Sequence, residues 1–158
     1  MATTVEVVRG RVEGDLAERI MAFWSEHGAL AGDAARERLR QLVCVVRDGD
    51  GGIVGVNSVF EERIDLIGAR FWVYRRFVAG ELPEGMEGEL LATTFDALER
   101  ERADDPNGPA GLCVLLADAE QMRRHPEAVW PDSEMLYAGY LPDGRQVRIR
   151  YFDRAMVS

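Results

Sequence analysis

The spacing of apolar residues predicts alternating helices and strands along the whole chain. Apolar side chains three or four positions apart predict four helices. Asp15, Asp33 and Asp118 are the predicted N-caps of the first, second and fourth, and the third starts at Glu89. Runs of β-branched or alternating apolar residues between these helices predict strands. The predicted strands are 5–9, 42–47, 53–60, 69–79, 112–116, 135–140 and 146–152.

The connections between these segments indicate how the strands pair. A glycine-rich turn at 48–52 and a polar stretch at 61–65, which closes the third strand, predict an antiparallel meander of the second, third and fourth strands. The run 112–116 is continuously apolar, which is typical of a strand that is buried on both faces and parallel to a neighbour. The helix before it then forms a crossover from the strand 69–79.

These features predict an α/β (α+β) fold in a single domain, 1–158. We expect a mixed, twisted sheet of about six to seven strands with helices on both faces. The apolar positions that face inward in this arrangement form the predicted core. They are Ile20, Phe23, Val45, Val54, Val56, Val73, Leu91, Phe95, Leu98, Val114, Ile149 and Tyr151.

Composition narrows the classes of function. All 19 basic residues are arginine, which excludes Schiff-base chemistry on lysine and the lysine of a P-loop, and indicates a G+C-rich bacterial gene. A net charge of −9 opposes binding to nucleic acid or to an anionic membrane surface. No apolar run approaches the ~20 residues of a membrane span and no signal-type segment opens the sequence, so we expect a cytoplasmic protein.

The cysteines and histidines form no metal motif. Cys44 and Cys113 each lie inside an apolar run, where buried and inert thiols are expected. His27 and His125 lie near predicted helix ends, where an imidazole suits the last turn. Because no cluster of His, Cys and carboxylate residues has ligand spacing, we expect no metal site.

A glycine-punctuated loop, 80–88, joins the strand 69–79 to the long helix. The first turn of a helix has backbone N–H groups without internal partners, so a glycine-rich loop that leads into it can bind phosphate. The loop and helix start are also acidic, with carboxylates at Glu81, Glu84, Glu87 and Glu89. A bound anion would therefore depend on backbone dipoles and would be opposed by these carboxylates.

The order of elements resembles that of the GNAT superfamily of acyl-CoA-dependent N-acetyltransferases over nearly the whole chain. In that family the pantetheine arm of the coenzyme lies against the fourth strand, and the pyrophosphate lies on the loop that opens the next helix. The resemblance implies acetyl-CoA or another acyl-CoA as co-substrate. It also implies coenzyme contacts from two segments: Phe77, Val78 and Ala79 for pantetheine, and Gly85, Met86, Glu87 and Gly88 for pyrophosphate.

The loop departs from the family pattern, which is Arg or Gln, two residues, Gly, one residue, and Gly or Ala. Depending on the alignment, only Gly85 or only Gly88 occupies its expected position. The acidic base that is frequent on the fourth strand of the family has no counterpart in 69–79. The tyrosine acid often found in the helix after the fifth strand is absent from 119–130.

Acyl transfer to an amine needs a base for the ammonium and an acid for the leaving thiolate. Glu61 or Glu62, beside the expected acceptor cleft, is the candidate base, directly or through water. Tyr137 or Tyr140 is the candidate acid. The alternative is that these carboxylates are solvated at a strand end and that the tyrosines are half-buried packing residues.

Two functional hypotheses follow. The first is an acyl-CoA-dependent N-acetyltransferase that acts on a small amine or an amino-terminal acceptor. The second is a GNAT-fold protein without catalysis, which acts as a ligand-binding or protein-interaction module and associates as a homodimer. The 80–88 loop discriminates between them, because only the first hypothesis requires it to bind a coenzyme.

Arginines on two strands leave a further choice open. They could face one basic recess that binds an anionic ligand or an acidic partner. Alternatively Glu61, Glu62 and Asp65 could neutralise them, and we favour this second interpretation. The arginines concerned are Arg70, Arg75, Arg76, Arg148 and Arg150.

Overall fold

The structure is a computed structural model that describes residues 2–152. Within this range the chain forms seven strands and four helices. In chain order they are β1 (Thr4–Val7), α1 (Gly14–Glu26), α2 (Gly32–Leu39), β2 (Leu42–Arg47), β3 (Ile53–Ile64), β4 (Ala69–Val78), α3 (Met86–Ala103), β5 (Gly111–Leu116), α4 (Ala119–Arg124), β6 (Leu136–Tyr140) and β7 (Gln146–Tyr151). The order of elements agrees with the sequence prediction.

The strands form one mixed sheet in the order β1-β2-β3-β4-β5-β7-β6. Strand β2 is antiparallel to β1 and β3, and β7 is antiparallel to β5 and β6. Strands β4 and β5 are parallel, with Trp72 opposite Leu112 and Val73 opposite Cys113. Because α3 connects β4 to β5, the predicted crossover is confirmed. The mixed α/β fold is confirmed as well and is consistent with a GNAT-like architecture.

Residue contacts divide the chain into two compact units. The first comprises the chain up to Val59 together with Arg75–Ala97. The second comprises Phe60–Tyr74 and the chain from Leu98 onward. Strands β3 and β4 contribute residues to both units, and the single domain stays a prediction.

Each unit has its own hydrophobic core. In the first unit, α1 contributes Ile20, Phe23 and Trp24 to a cluster that also contains strand residues such as Val45. In the second unit, a separate cluster contains Phe71 of β4 and residues from β3, β5 and β7. Ten of the twelve predicted core residues are buried, and the other two, Val54 and Tyr151, are half-buried.

Two kinds of predicted boundary were wrong. Strand β3 continues to Ile64, so the polar stretch 61–65 lies mostly on the strand and does not close it. Helices α1 and α2 begin one residue before Asp15 and Asp33, which therefore lie in the first turn instead of capping it. An acidic residue in the first turn still interacts favourably with the helix dipole. Asp118 does cap α4 as predicted, since its side chain accepts from the backbone N–H of Glu120.

A buried polar cluster joins α3 to the sheet within the first unit. Leu42 lies opposite Ser58 and Cys44 lies opposite Asn57, so one extra residue forms a bulge in β2. At this bulge the side-chain carbonyl of Asn57 accepts from the backbone N–H of Cys44 at 2.7 Å. The Asn57 amide donates to Oγ1 of Thr94 on α3 at 2.6 Å. One side chain therefore links β2, β3 and α3.

Candidate functional site

The end of β4 holds the residues predicted to contact pantetheine. Phe77 and Ala79 pack against the core of the first unit, and the Phe77 ring lies 5.6 Å from that of Phe23. The N–H of Ala79 donates to the carbonyl of Val54 on β3. Because backbone groups alternate in direction along a strand, those of Val78 point away from β3. Val78 is thus the one of these three residues whose backbone N–H and C=O groups point away from β3.

The start of α3 holds the residues predicted to contact pyrophosphate. The N–H of Met86 donates to Pro83 and that of Glu89 donates to Gly85. The N–H groups of Glu87 and Gly88 have no acceptor among the hydrogen bonds of residues 2–152. Gly85 adopts a φ of 84°, and a Cβ placed on it would meet no atom within 4 Å. The backbone here therefore presents two donors beside open space.

The four acidic side chains of this region differ in their surroundings. Glu81, Glu84 and Glu89 are exposed to solvent. Glu87 is half-buried, and its Oε1 lies 2.7 Å from Nε of Arg76 on β4. Of the four carboxylates expected to oppose a bound anion, Glu87 is therefore paired with a cation, because Arg76 neutralises it. This pair also brings a guanidinium group to the start of α3.

The two predicted bases lie on β3 in the second unit, and both side chains are exposed. Oε1 of Glu61 accepts from Nη1 of Arg70 at 2.6 Å. Asp65 pairs with Arg63 and not with an arginine of β4. The preferred interpretation, neutralisation by nearby acids, is thus confirmed for Arg70.

The two predicted acids, Tyr137 and Tyr140, line an open recess of about 480 Å³ in the second unit. Their rings meet edge to face, 5.7 Å apart. Gln146 and Arg148 of β7 and Arg123 of α4 also line this recess. The structure brings the tyrosines together with two arginines, and neither Glu61 nor Glu62 lines the recess.

Arg148 is the most unusual residue of the recess. Only 1% of its surface is exposed, and its hydrogen bonds all go to neutral acceptors. Nε donates to the Gln146 side chain at 2.9 Å, and Nη2 donates to the His125 carbonyl at 3.2 Å. Nη1 donates to the Glu127 carbonyl at 2.5 Å. Burial lowers the pKa of Arg148, while Glu127, Tyr140 and Tyr137 oppose that shift.

The alternative hypothesis, one basic recess formed by the arginines of β4 and β7, stays a prediction. Arg150 pairs with Glu134 at 2.9 Å, and Arg75 donates to the side chain of Gln41. Arg123 and Trp130 were not among the predicted site residues. The Trp130 ring centroid lies 4.6 Å from Cζ of Arg148. Alternation along β7 is the signal that could have placed Gln146 and Arg148 on one face.

The cysteines and histidines occupy the structural positions that the sequence predicts. Both thiols are buried and free. Burial raises the pKa of Cys44 to about 11, against hydrogen bonds from Thr94 and Asn57. Burial and the charge of Glu62 raise the pKa of Cys113 to about 12, while Arg145 opposes this shift. His27 and His125 are the C-terminal cap residues of α1 and α4.

Two other kinds of feature are absent from residues 2–152. No group of three or more His, Cys, Asp or Glu side chains in this range could hold a metal ion. None of the helices in the same range combines the length and apolar content needed to cross a bilayer.

Comparison with protein-family models and with curated proteins found no match to this sequence.

Proposed function

We propose that this chain is a GNAT-type N-acyltransferase that uses acetyl-CoA or another acyl-CoA. Its acceptor is a small amine or an amino-terminal group. The observation that carries this proposal is the start of α3, where the N–H groups of Glu87 and Gly88 have no acceptor within residues 2–152. Such amides at a helix start bind phosphate oxygens through hydrogen bonds and the helix dipole.

Two further features support coenzyme binding at this place. The open space beside Gly85 lets an anion approach the backbone closely. The backbone of Val78 faces away from β3, which leaves it directed toward a partner such as the amide groups of pantetheine. Phe77 and Ala79 hold the end of β4 in place, because both pack against the core of the first unit.

The proposed reaction is direct transfer. The amine nitrogen forms a bond to the thioester carbonyl carbon, the carbon–sulfur bond breaks, and the thiolate leaves as coenzyme A. Glu61 or Glu62 is the proposed base for the ammonium proton, and Tyr137 or Tyr140 is the proposed acid for the thiolate. The proposal includes a cytoplasmic location, which two free thiols support.

A second candidate is a GNAT-fold ligand-binding module without catalysis. The ion pair between Arg76 and Glu87 favours it, because the guanidinium group that Glu87 holds at the start of α3 already has a protein carboxylate as partner. The recess that holds Tyr137 and Tyr140 has no carboxylate among its lining residues, so it offers no base of its own.

A calorimetric titration with acetyl-CoA separates the two candidates. For the wild type we expect weak binding. Glu87→Gln should tighten it by about two- to fivefold, because the change removes one half-exposed charge and leaves Arg76 to contact phosphate. Asp96→Asn is the matched control, since Asp96 is an exposed carboxylate further along α3 and its loss changes the net charge equally. The control should bind like the wild type.

Release of coenzyme A thiol in the presence of small amines then tests turnover. Tyr137→Phe and Tyr140→Phe assign the acid, because the residue that protonates the thiolate should lower the rate while coenzyme affinity stays unchanged. If neither the wild type nor Glu87→Gln gives titration heat, the enzyme proposal is wrong. Coenzyme binding without thiol release for any amine would favour the module.

A further inference from the structure

The recess beside α4 concentrates positive charge in an acidic protein. Its charged lining residues are Arg123 and Arg148, and no carboxylate lines it. The chain as a whole has a net charge of −9. A cavity lined by two arginines and by no carboxylate is therefore contrary to the general charge balance of the molecule.

The two arginines contribute differently to this cavity. The guanidinium group of Arg148 is held in place by hydrogen bonds to backbone carbonyls and to the side chain of Gln146. Its charge is retained, because a guanidinium group stays protonated in proteins. Water screens this charge poorly, since the side chain is 1% exposed. Arg123 lies on α4, is exposed, and lines the cavity.

The rest of the lining is aromatic or apolar. Tyr137 and Tyr140 present their rings, and Met122, Pro126 and Ala128 add apolar surface. The volume of about 480 Å³ is that of a pocket for a small molecule. A ligand that matches this lining combines a flat apolar body with one anionic group.

We infer that this recess binds a small organic anion with an aromatic or similarly flat body, in which a carboxylate or phosphate group faces Arg123 and the field of Arg148. Arginine binds both groups through paired N–H donors, and tyrosine rings pack on flat apolar surfaces. The inference goes beyond the acyl transfer proposed above. It rests on the recess alone and holds whether or not the chain binds a coenzyme.

The test is a chemical-shift titration of isotope-labelled full-length protein with benzoate, phenyl phosphate and neutral benzamide. The indole N–H of Trp130 reports on the recess, because it donates to the His125 carbonyl beside Arg148. The indole of Trp24, in the core of the first unit, is the internal control. We expect at least one anion to move the Trp130 signal saturably and to bind at least about threefold more tightly than benzamide.

Two neighbouring arginines of α4 give a matched pair of variants. Arg123 lines the recess, whereas Nη2 of Arg124 lies 2.7 Å from Oε1 of Glu120. Arg123→Gln should weaken binding of the anion by about two- to fivefold, and Arg124→Gln should leave it unchanged. Arg148 is left intact, because its loss would remove the donor to the Glu127 carbonyl and the buried hydrogen bond to Gln146.

Each outcome decides the inference. A preference for benzoate or for phenyl phosphate identifies the anionic group and supports it. Equal affinity for the anions and benzamide would overturn it, and so would equal effects of Arg123→Gln and Arg124→Gln. Absence of any shift at Trp130 with all three compounds would also overturn it, in which case Arg148 serves only to hold the segment 125–135.

Discussion

Replacing Asn57 by alanine is the sharpest test of how α3 is held on the sheet. The side chain is 1% exposed and makes two short hydrogen bonds, one to the N–H of Cys44 and one to Oγ1 of Thr94. Thr94 in turn donates to the carbonyl of Leu90 at 2.7 Å. Asn57→Ala therefore leaves the Cys44 N–H at the β2 bulge buried without an acceptor.

The expected loss of stability follows from these contacts. An unsatisfied buried N–H costs about 1–3 kcal/mol, and the lost bond to Thr94 adds about 1 kcal/mol. We therefore expect Asn57→Ala to lower the free energy of unfolding by about 2–4 kcal/mol. Thr94→Val leaves the bond between Asn57 and Cys44 intact, so it should cost only about 1–2 kcal/mol.

Urea unfolding followed by circular dichroism measures both variants, with stability taken from the midpoint when the slope is unchanged. Thr93→Val is the matched control, because the neighbouring Thr93 on α3 is only half-buried. It should change stability by less than about 0.5 kcal/mol. The reasoning fails if Asn57→Ala costs less than Thr94→Val, since the bulge N–H would then have found another acceptor.

Two other predictions concern packing and the thiols. Gly111→Ala should destabilise the protein by about 1–3 kcal/mol in the same unfolding assay, because a Cβ there would lie 2.1 Å from the Arg150 carbonyl oxygen on β7. Unchanged stability would contradict the observed register between β5 and β7. Native protein should resist thiol-modifying reagents, because burial raises the pKa of Cys44 from 9.0 to about 11. Because the pKa of the Cys44 thiol is higher in the folded protein than in the unfolded chain, the neutral thiol contributes its full stabilisation below a pH of about 9. This contribution to the free energy of unfolding should be lost as the pH rises from about 9 through about 11. Cys44→Ala should reduce that loss.

The fold could be predicted from the sequence because its signals are local. Continuous apolar runs marked β2 and β5, whose observed bounds match the prediction or differ from it by one residue. Asp118 signalled the start of α4 correctly, since an aspartate cap acts on amides within its own turn. The end of β3 was wrong because polarity marks exposure as well as strand ends. Residues 61–63 are exposed yet still on the strand.

The candidate sites were less predictable because they depend on residues far apart in sequence. Tyr137 and Tyr140 were proposed as acids, but no spacing pattern indicated that Arg123 on α4 would line the same recess. The pairing of Arg76 with Glu87 also joins β4 to α3 across the loop between them. Spacing rules describe neighbours on one element, and they do not report which elements meet.

The acidic loop and the open amides of α3 act on a bound anion in opposite directions, and their magnitudes decide whether a coenzyme can bind. Glu81, Glu84 and Glu89 are exposed, so water and salt limit the repulsion from each to less than about 1 kcal/mol. Arg76 compensates the fourth carboxylate, Glu87. The total opposition is thus at most about 3 kcal/mol, which weakens binding by no more than about 150-fold and does not remove the donors. The backbone at Glu87 and Gly88 therefore determines whether a pyrophosphate site exists, and the side chains around it determine how tightly it binds.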